Sequence, residues 1–242
     1  MISRRPLIAG LAAVSLASAA CAATPNSVPP AGVIAQVATR GAMVAVAAQP
    51  GEAVLLTERG REGFFVLREG AAPKLDSLQG LFVPAPRSRH WARLWDEVTG
   101  YPEWFGARGD DVTAASDNRA AIEACIKLCP VTQLGPLAYH VVDTLRIGVS
   151  NRTVRGSGLS IEAPYDGGTR IVSSNPKKDV IHIGGTGPDA RPAIIRVQEI
   201  TATWSVDLIP PPAGRESDAP AAFRVTHVLA AHLERCFALN PL

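Results

Sequence analysis

The sequence predicts an all-β chain of short strands, with one short α-helix set into its middle. Three observations carry that reading. Glycine (21) and proline (20) are frequent while aromatic residues make up 5% of the chain, a composition of many turns and short strands. Short apolar runs recur between turn clusters such as Ser-Asn, Gly-Ser-Gly, Asp-Gly-Gly and Gly-Thr-Gly-Pro-Asp. Only the stretch "YPEWFGARGDDVTAASDNRAAIEACIKLC", residues 101 to 129, carries the spacing of an amphipathic helix.

Residues 1 to 22 read as an export leader. Arg4 and Arg5 form a basic start, an apolar run extends from Pro6 to Ala20, and small residues follow. Ala20-Cys21-Ala22 fits cleavage between Ala22 and Ala23. Ser3-Arg4-Arg5-Pro6-Leu7 also resembles a twin-arginine signal. A lipoprotein cut before Cys21 is the weaker alternative, because Ser18 stands where an aliphatic residue is usual. The expected location is periplasmic or extracellular, with no membrane anchor in the mature chain. The chain carries 24 basic and 22 acidic residues. Removing two arginines and no acids leaves 22 of each. No basic footprint for nucleic acid remains.

Residues 23 to 40, rich in Pro, Ser, Asn and Ala, read as a linker. Residues 41 to 100 read as a small β-rich segment, in which "MVAV", "AVLL" and "FFVL" alternate with Pro-Gly, Arg-Gly and Glu-Gly turns. In 101 to 129, Ile122, Cys125, Ile126 and Cys129 fall on one stripe of a helix over about 117–129. Ser116 or Asp117 supplies an N-cap, and Pro130 ends the helix. Gly106 and Gly109 permit a tight turn, Asp110 and Asp111 can satisfy its amides, and Trp104 and Phe105 anchor it. A helix this short is marginal alone, so its stripe must cover something apolar. Beyond it, "LAYHVVDTLRI", "GTRIVSS", "DVIHIGG" and "AIIRVQEITATW" are strand-like. Such runs suit a sandwich, a barrel or a β-solenoid.

The stretch "EWFGARGDDVTAASDNRAAIEACI" resembles the opening signature of the pectate-lyase-superfamily right-handed parallel β-helices. Those chains carry a W/Y-F-G-A-K-G-D-G-x-x-D-D-T pattern before a helix. "SNRTVRGSGLS" is similar to their S-N-x-x-x-x-G-x-G continuation, and "SRHWARLW" to a W-x-R-L stretch that precedes the signature. The likeness spans about residues 90 to 160. Arg108 stands for the usual Lys, Asp111 for the second Gly, and Ala115-Ser116-Asp117 for Asp-Asp-Thr. The resemblance implies that residues 101–242 form a parallel β-helix with the helix over its mouth. It implies an exported polysaccharide hydrolase or lyase, and a polysaccharide as partner. It leaves open a non-catalytic tailspike- or adhesin-like module, a truncated inactive member, and a homotrimer.

The aspartates 110 and 111 belong to the fold-signature turn in this reading, and Arg108-Gly109-Asp110 is turn chemistry, not an adhesion motif. His140, His182, His227 and His232 lack metal-ligand spacing. Cys125, Cys129 and Cys236 do not make a zinc set; Cys125 and Cys129 read as small buried hydrophobes, and a disulfide to Cys236 stays open. No cofactor is evident, and calcium is expected only for a lyase. The carboxylates of the coils are Asp143, Glu162, Asp166, Asp179, Asp189, Glu199 and Asp207. Hydrolases of the resembled group draw catalytic acids from neighbouring coils, so the pairing depends on coil register. At about 20 to 25 residues per coil, residues 131–242 make about four or five coils.

Overall fold

The computed structural model describes residues 34–109, 117–159, 167–205 and 219–239. The leader, Asp110, Asp111, Ser116, Glu162, Asp166 and Asp207 lie outside them.

The N-terminal segment is one mixed sheet. Strand β1 (Ala35–Val37) is followed by a short helix α1 (Arg40–Val44), β2 (Ala53–Leu56), β3 (Gly63–Glu69), β4 (Phe82–Ala85) and β5 (Arg89–Arg93). The sheet order is β1-β2-β3-β5-β4. Alternation in β3 and β5 turns Phe65, Leu67 and Trp91 inward onto Met43 and Leu56. The linker expected up to residue 40 is therefore shorter than expected. Ala35–Val37 pairs in parallel with Val54–Leu56, and Thr39 caps α1 through Ala42 N. Its small residues mask a period-two pattern that only the partner strand makes visible.

The rest is a solenoid. Strand β6 (Thr99–Gly100) leads through a 3₁₀ turn (Pro102–Phe105) to helix α2 (Arg119–Leu128). The first coil holds β7 (Val131–Gln133), β8 (Ala138–Val141) and β9 (Leu145–Ile147). The second holds β10 (Arg152–Arg155), β11 (Thr169–Ser173) and β12 (Ile181–Ile183). The third holds β13 (Ile195–Gln198), β14 (Ile200–Trp204) and β15 (Phe223–Val225). A fourth begins with β16 (Ala231–Glu234) and β17 (Phe237–Ala238). Equivalent strands stack in parallel into three sheets, β16-β13-β10-β7-β6, β17-β14-β11-β8 and β15-β12-β9.

Register places like on like inside. Val154 lies on Val197, Tyr139 on Ile171 and Ala202, Leu145 on Ile181 and Phe223, and Ile147 on Ile183. Each buried aliphatic side chain in such a stack contributes roughly 1.5–3 kcal/mol. The expected coil length does not hold throughout. Gln133 and Arg155 are paired 22 residues apart, but Gln198 and Glu234 are paired 36 apart. The connections from Arg155 to Thr169 and from Trp204 to Phe223 take up the extra chain. Residues 131–239 thus make three coils and the start of a fourth, not four or five.

Helix α2 packs Ala121, Ile122, Cys125 and Ile126 against the first coil. Its stripe is the one read from the sequence, although Cys129 is its C-cap and lies outside it. The N-cap position is Asn118, one residue beyond the expected cap. Asn118 turns its side chain away from the helix, accepting from Arg108 N at 2.6 Å and donating to His140 O at 3.1 Å. Asp117 accepts from Arg119 N at 3.1 Å. No helix among the described residues is long and apolar enough to cross a membrane.

Candidate functional site

The signature turn sits where the N-terminal sheet meets the solenoid. Phe105 is buried, and a Cβ at Gly80 would lie 2.5 Å from its ring. The Arg93 guanidinium lies over both Phe65 (4.6 Å) and Trp104 (4.4 Å), and donates to Gly80, Glu62 and Arg61 carbonyls. Burial pulls the Arg93 pKa down to about 10. Arg61 donates to Trp104 O at 2.8 Å, and Gly106 (φ 104°) allows its approach: a Cβ there would meet Arg61 Nη2 at 2.4 Å. Gly109 packs on Leu137. Tyr139 OH donates to Glu103 and accepts from Gly135 N. These contacts join the two parts of the chain. Trp104, Phe105, Gly106 and Gly109 hold a joint in the fold.

The carboxylates of the coils separate into three settings. Asp143 pairs with Lys178 Nζ at 2.8 Å and stands 3.9 Å from Arg119 Nη1; the Lys178 bond above all holds its pKa below the usual range. Asp179 accepts from Arg224 Nε at 2.6 Å and from Ala221 N at 2.8 Å. Both carboxylates are held by cations, Asp143 by Lys178 and Arg119 and Asp179 by Arg224. Asp189 is exposed in the turn after β12.

Glu199 differs. It is the single residue between β13 and β14, held at φ 58°, a left-handed conformation uncommon outside Gly, Asn and Asp. Its backbone N–H donates to Glu234 O in the next coil. That register brings Glu234, a residue the sequence reading passed over, beside it. Both carboxylates reach one guanidinium nitrogen: Glu199 Oε1 contacts Arg235 Nη2, and Glu234 Oε1 lies 4.0 Å from it. Gln198 Nε2 donates to Glu234 Oε2 at 2.7 Å. The result is a solvent-facing corner with two carboxylates from successive coils, spanned by one exposed arginine.

His182 and His227 lie near one another, and His140 and His232 stand on other sheets. His182 Nε2 bonds Thr226 Oγ1 at 2.7 Å on the β15-β12-β9 sheet, His232 is exposed on β16, and His140 lies on β8. Among the described residues no group of three or more His, Cys, Asp or Glu could hold a metal ion. The clustered oxygens that calcium takes are not assembled by Asp143, Asp179, Glu199 or Glu234. Cys125 and Cys129 are buried and Cys236 is half-buried; all three are free thiols.

No protein-family model matches the sequence, and no curated protein matches it. Solved structures do. The chain is similar to the enzymatically active domain of tailspike protein 2 of bacteriophage CBA120, at 17% identity and TM-score 0.55, over 81% of this chain and 26% of that one. The chain has a tailspike-like parallel β-helix fold. It is also similar to tailspike protein gp49 of Acinetobacter baumannii bacteriophage Fri1, a capsular polysaccharide depolymerase (12% identity, TM-score 0.58, 85% of this chain and 38% of that one). A third match is Pantoea stewartii WceF, a glycan biofilm modifying enzyme (17% identity, TM-score 0.52, 86% and 33%). This β-helix chain spans between about a quarter and two-fifths of the length of those structures. In a parallel β-helix, residues one coil apart become neighbours, and that is how Glu199 and Glu234 meet. Linear spacing gives no sign of it.

Proposed function

We propose that the chain is an exported carbohydrate-active protein that hydrolyses or eliminates glycosidic bonds in a polysaccharide. One observation carries the reading: Glu199 and Glu234, from adjacent coils, meet at a solvent-facing corner. Glycoside cleavage is run by two such carboxylates, one giving a proton to the leaving oxygen and one acting as base or nucleophile. The polysaccharide-active proteins that share this fold support the substrate class. Glu234 is the more exposed of the two, and in this reading it meets the leaving oxygen. Glu199, set by its turn and by the Glu234 carbonyl, is the fixed partner. Arg235 lies between them and has to swing outward for a sugar to enter. An elimination would draw on calcium, for which the described carboxylates are not arranged, and no step is assigned to it.

A binding module is the second reading. The ladder Gln133–Arg155–Gln198 beside the corner favours it, because amides and guanidinium groups recognise sugar hydroxyls and acids without cleaving them.

The test is release of reducing ends and of unsaturated uronate chromophore across a panel of neutral and acidic polysaccharides. Activity lost in both E199Q and E234Q supports the pair. Activity unchanged in both places the chemistry elsewhere, and binding without product on the whole panel establishes the second reading. Export is tested by fractionating cells that express the full chain with and without Arg4 and Arg5.

A further inference from the structure

We propose that the solvent face of the β7–β10–β13–β16 sheet is a binding platform for an acidic sugar unit. Arg155 and Arg196 take its carboxylate, sulfate or phosphate, and the Gln198 amide oxygen takes a hydroxyl. The inference rests on the polysaccharide reading above and adds a place and a charge to it.

Strand alternation builds the platform. Val154 and Val197 turn into the core, so their neighbours turn out. Register then draws two outward columns. One runs Val131, Thr153, Arg196, His232, and the other Gln133, Arg155, Gln198, Glu234. Arg155 and Arg196 sit on neighbouring strands two residues out of step. With strands about 4.8 Å apart and about 6.6 Å per two residues, their backbones are about 8 Å apart. Arg155 leans toward Gln133 on β7, its Nε bonded to Gln133 Oε1 at 2.8 Å, and closing both side chains on one anion exchanges that neutral bond for a charged one.

Among the described residues neither cation has an acid. Arg155 Nε donates to the neutral Gln133 Oε1 at 2.8 Å, and Arg196 is exposed with no ion pair among the described residues. By contrast Arg119, Arg224 and Arg235 each face a carboxylate. The nearby acid in the column, Glu234, is already held by Gln198 Nε2 at 2.7 Å. Exposed, uncompensated guanidinium groups beside ordered amides bind planar oxyanions, since arginine donates in a fork that matches them. The two outward columns carry no Phe, Tyr or Trp on which bases could stack, which argues against single-stranded nucleic acid. Gln198 joins the platform to the corner, because it precedes Glu199 and bonds Glu234. A sugar held by its acid on Arg155 and Arg196 would run along the coils toward that pair.

The experiment measures binding of the full chain to polygalacturonate oligomers, dextran sulfate, neutral dextran and inorganic phosphate. The double variant R155Q/R196Q is expected to bind the two charged glycans about ten- to a hundredfold more weakly, the loss of one or two charge-assisted contacts. Its melting temperature and its binding of neutral dextran should not change. R146Q removes a charge from a different sheet and should bind as the parent does. Equal losses in R146Q, no loss in the double variant, or equal affinity for neutral and charged glycans would each overturn the platform. Phosphate binding as tight as the oligomers also overturns it, leaving an anion site without sugar recognition. Cleavage of a neutral glycan untouched by R155Q/R196Q would overturn the platform while sparing the proposed function. Absence of both binding and product on every glycan overturns both.

Discussion

Arg152, the first residue of β10, reaches back to the helix cap and donates from Nε to Ile126 O at 2.8 Å. Its Nη2 meets Lys127 O at 3.2 Å. A helix end exposes carbonyls that lack partners, and a guanidinium there also complements the helix dipole. Arg152 therefore ties α2 to the second coil, past the first. Replacing it by Met keeps the stem and removes both bonds. The expected loss is about 1–2 kcal/mol of unfolding free energy, read as a lower denaturant midpoint with unchanged slope.

Gly100 in β6 is pressed against the end of the same helix. A Cβ there would lie 2.2 Å from Cys129 Sγ and 2.8 Å from its Cβ. Neither neighbour can retreat easily, since Cys129 is fully buried. Gly100→Ala is expected to cost about 1–3 kcal/mol. The double variant Gly100→Ala/Cys129→Ala, which removes the sulfur, should recover part of the loss in the same thermal melt. No recovery would mean that the strain comes from the contacts that remain, Cys129 Cβ at 2.8 Å and Cys125 Sγ at 3.0 Å.

His182 makes stability depend on pH. Burial lowers its pKa from the ordinary value, with Arg146, Arg224 and His227 acting the same way and Asp179 opposing them. The unfolded chain then binds a proton before the folded one does. This contribution is full above the ordinary value of about 6.5. It declines as pH falls through that value toward the lowered folded one, and is level below it. His182→Gln should flatten that decline in urea midpoints measured across the range. An unchanged slope would remove His182 as its source.

The thiols should differ in reactivity. Burial pushes the Cys125 thiol well up, with Cys129 adding to the shift, and burial raises Cys236 less severely. Cys125 and Cys129 are closed to solvent. In the native protein an alkylating reagent is expected to label Cys236 ahead of both, and Cys125 and Cys129 only with unfolding. Peptide mass mapping of the labelled chain distinguishes them.

Local chemistry was legible in the sequence, and long-range register was not. The stripe Ile122, Cys125, Ile126 needs only the helical period, and these residues are the ones α2 buries. Coil length needs the connections, and nothing between Arg155 and Thr169 marks where the chain rejoins the sheet. The same gap hid Glu234. It becomes a partner of Glu199 only once Gln198 is known to pair with Glu234, 36 residues on. The strand Ala35–Val37 was missed because small residues in a Pro-rich stretch look like linker until Val54–Leu56 is laid beside them.

The stacking of Val197 on Leu233 and of Ile183 on Val225 gives the molecule a direction. Helix α2 closes one end. On the last described strands, Val225, Leu233 and Phe237 are about two-fifths exposed (43%, 41% and 43%). In a quasi-one-dimensional array each coil is stabilised by its neighbours. Amide exchange should therefore be slowest in β7 to β9 and quicken coil by coil toward β16 and β17. Assembly that starts beneath the helix and advances away from it would follow the order in which the ribosome delivers the strands.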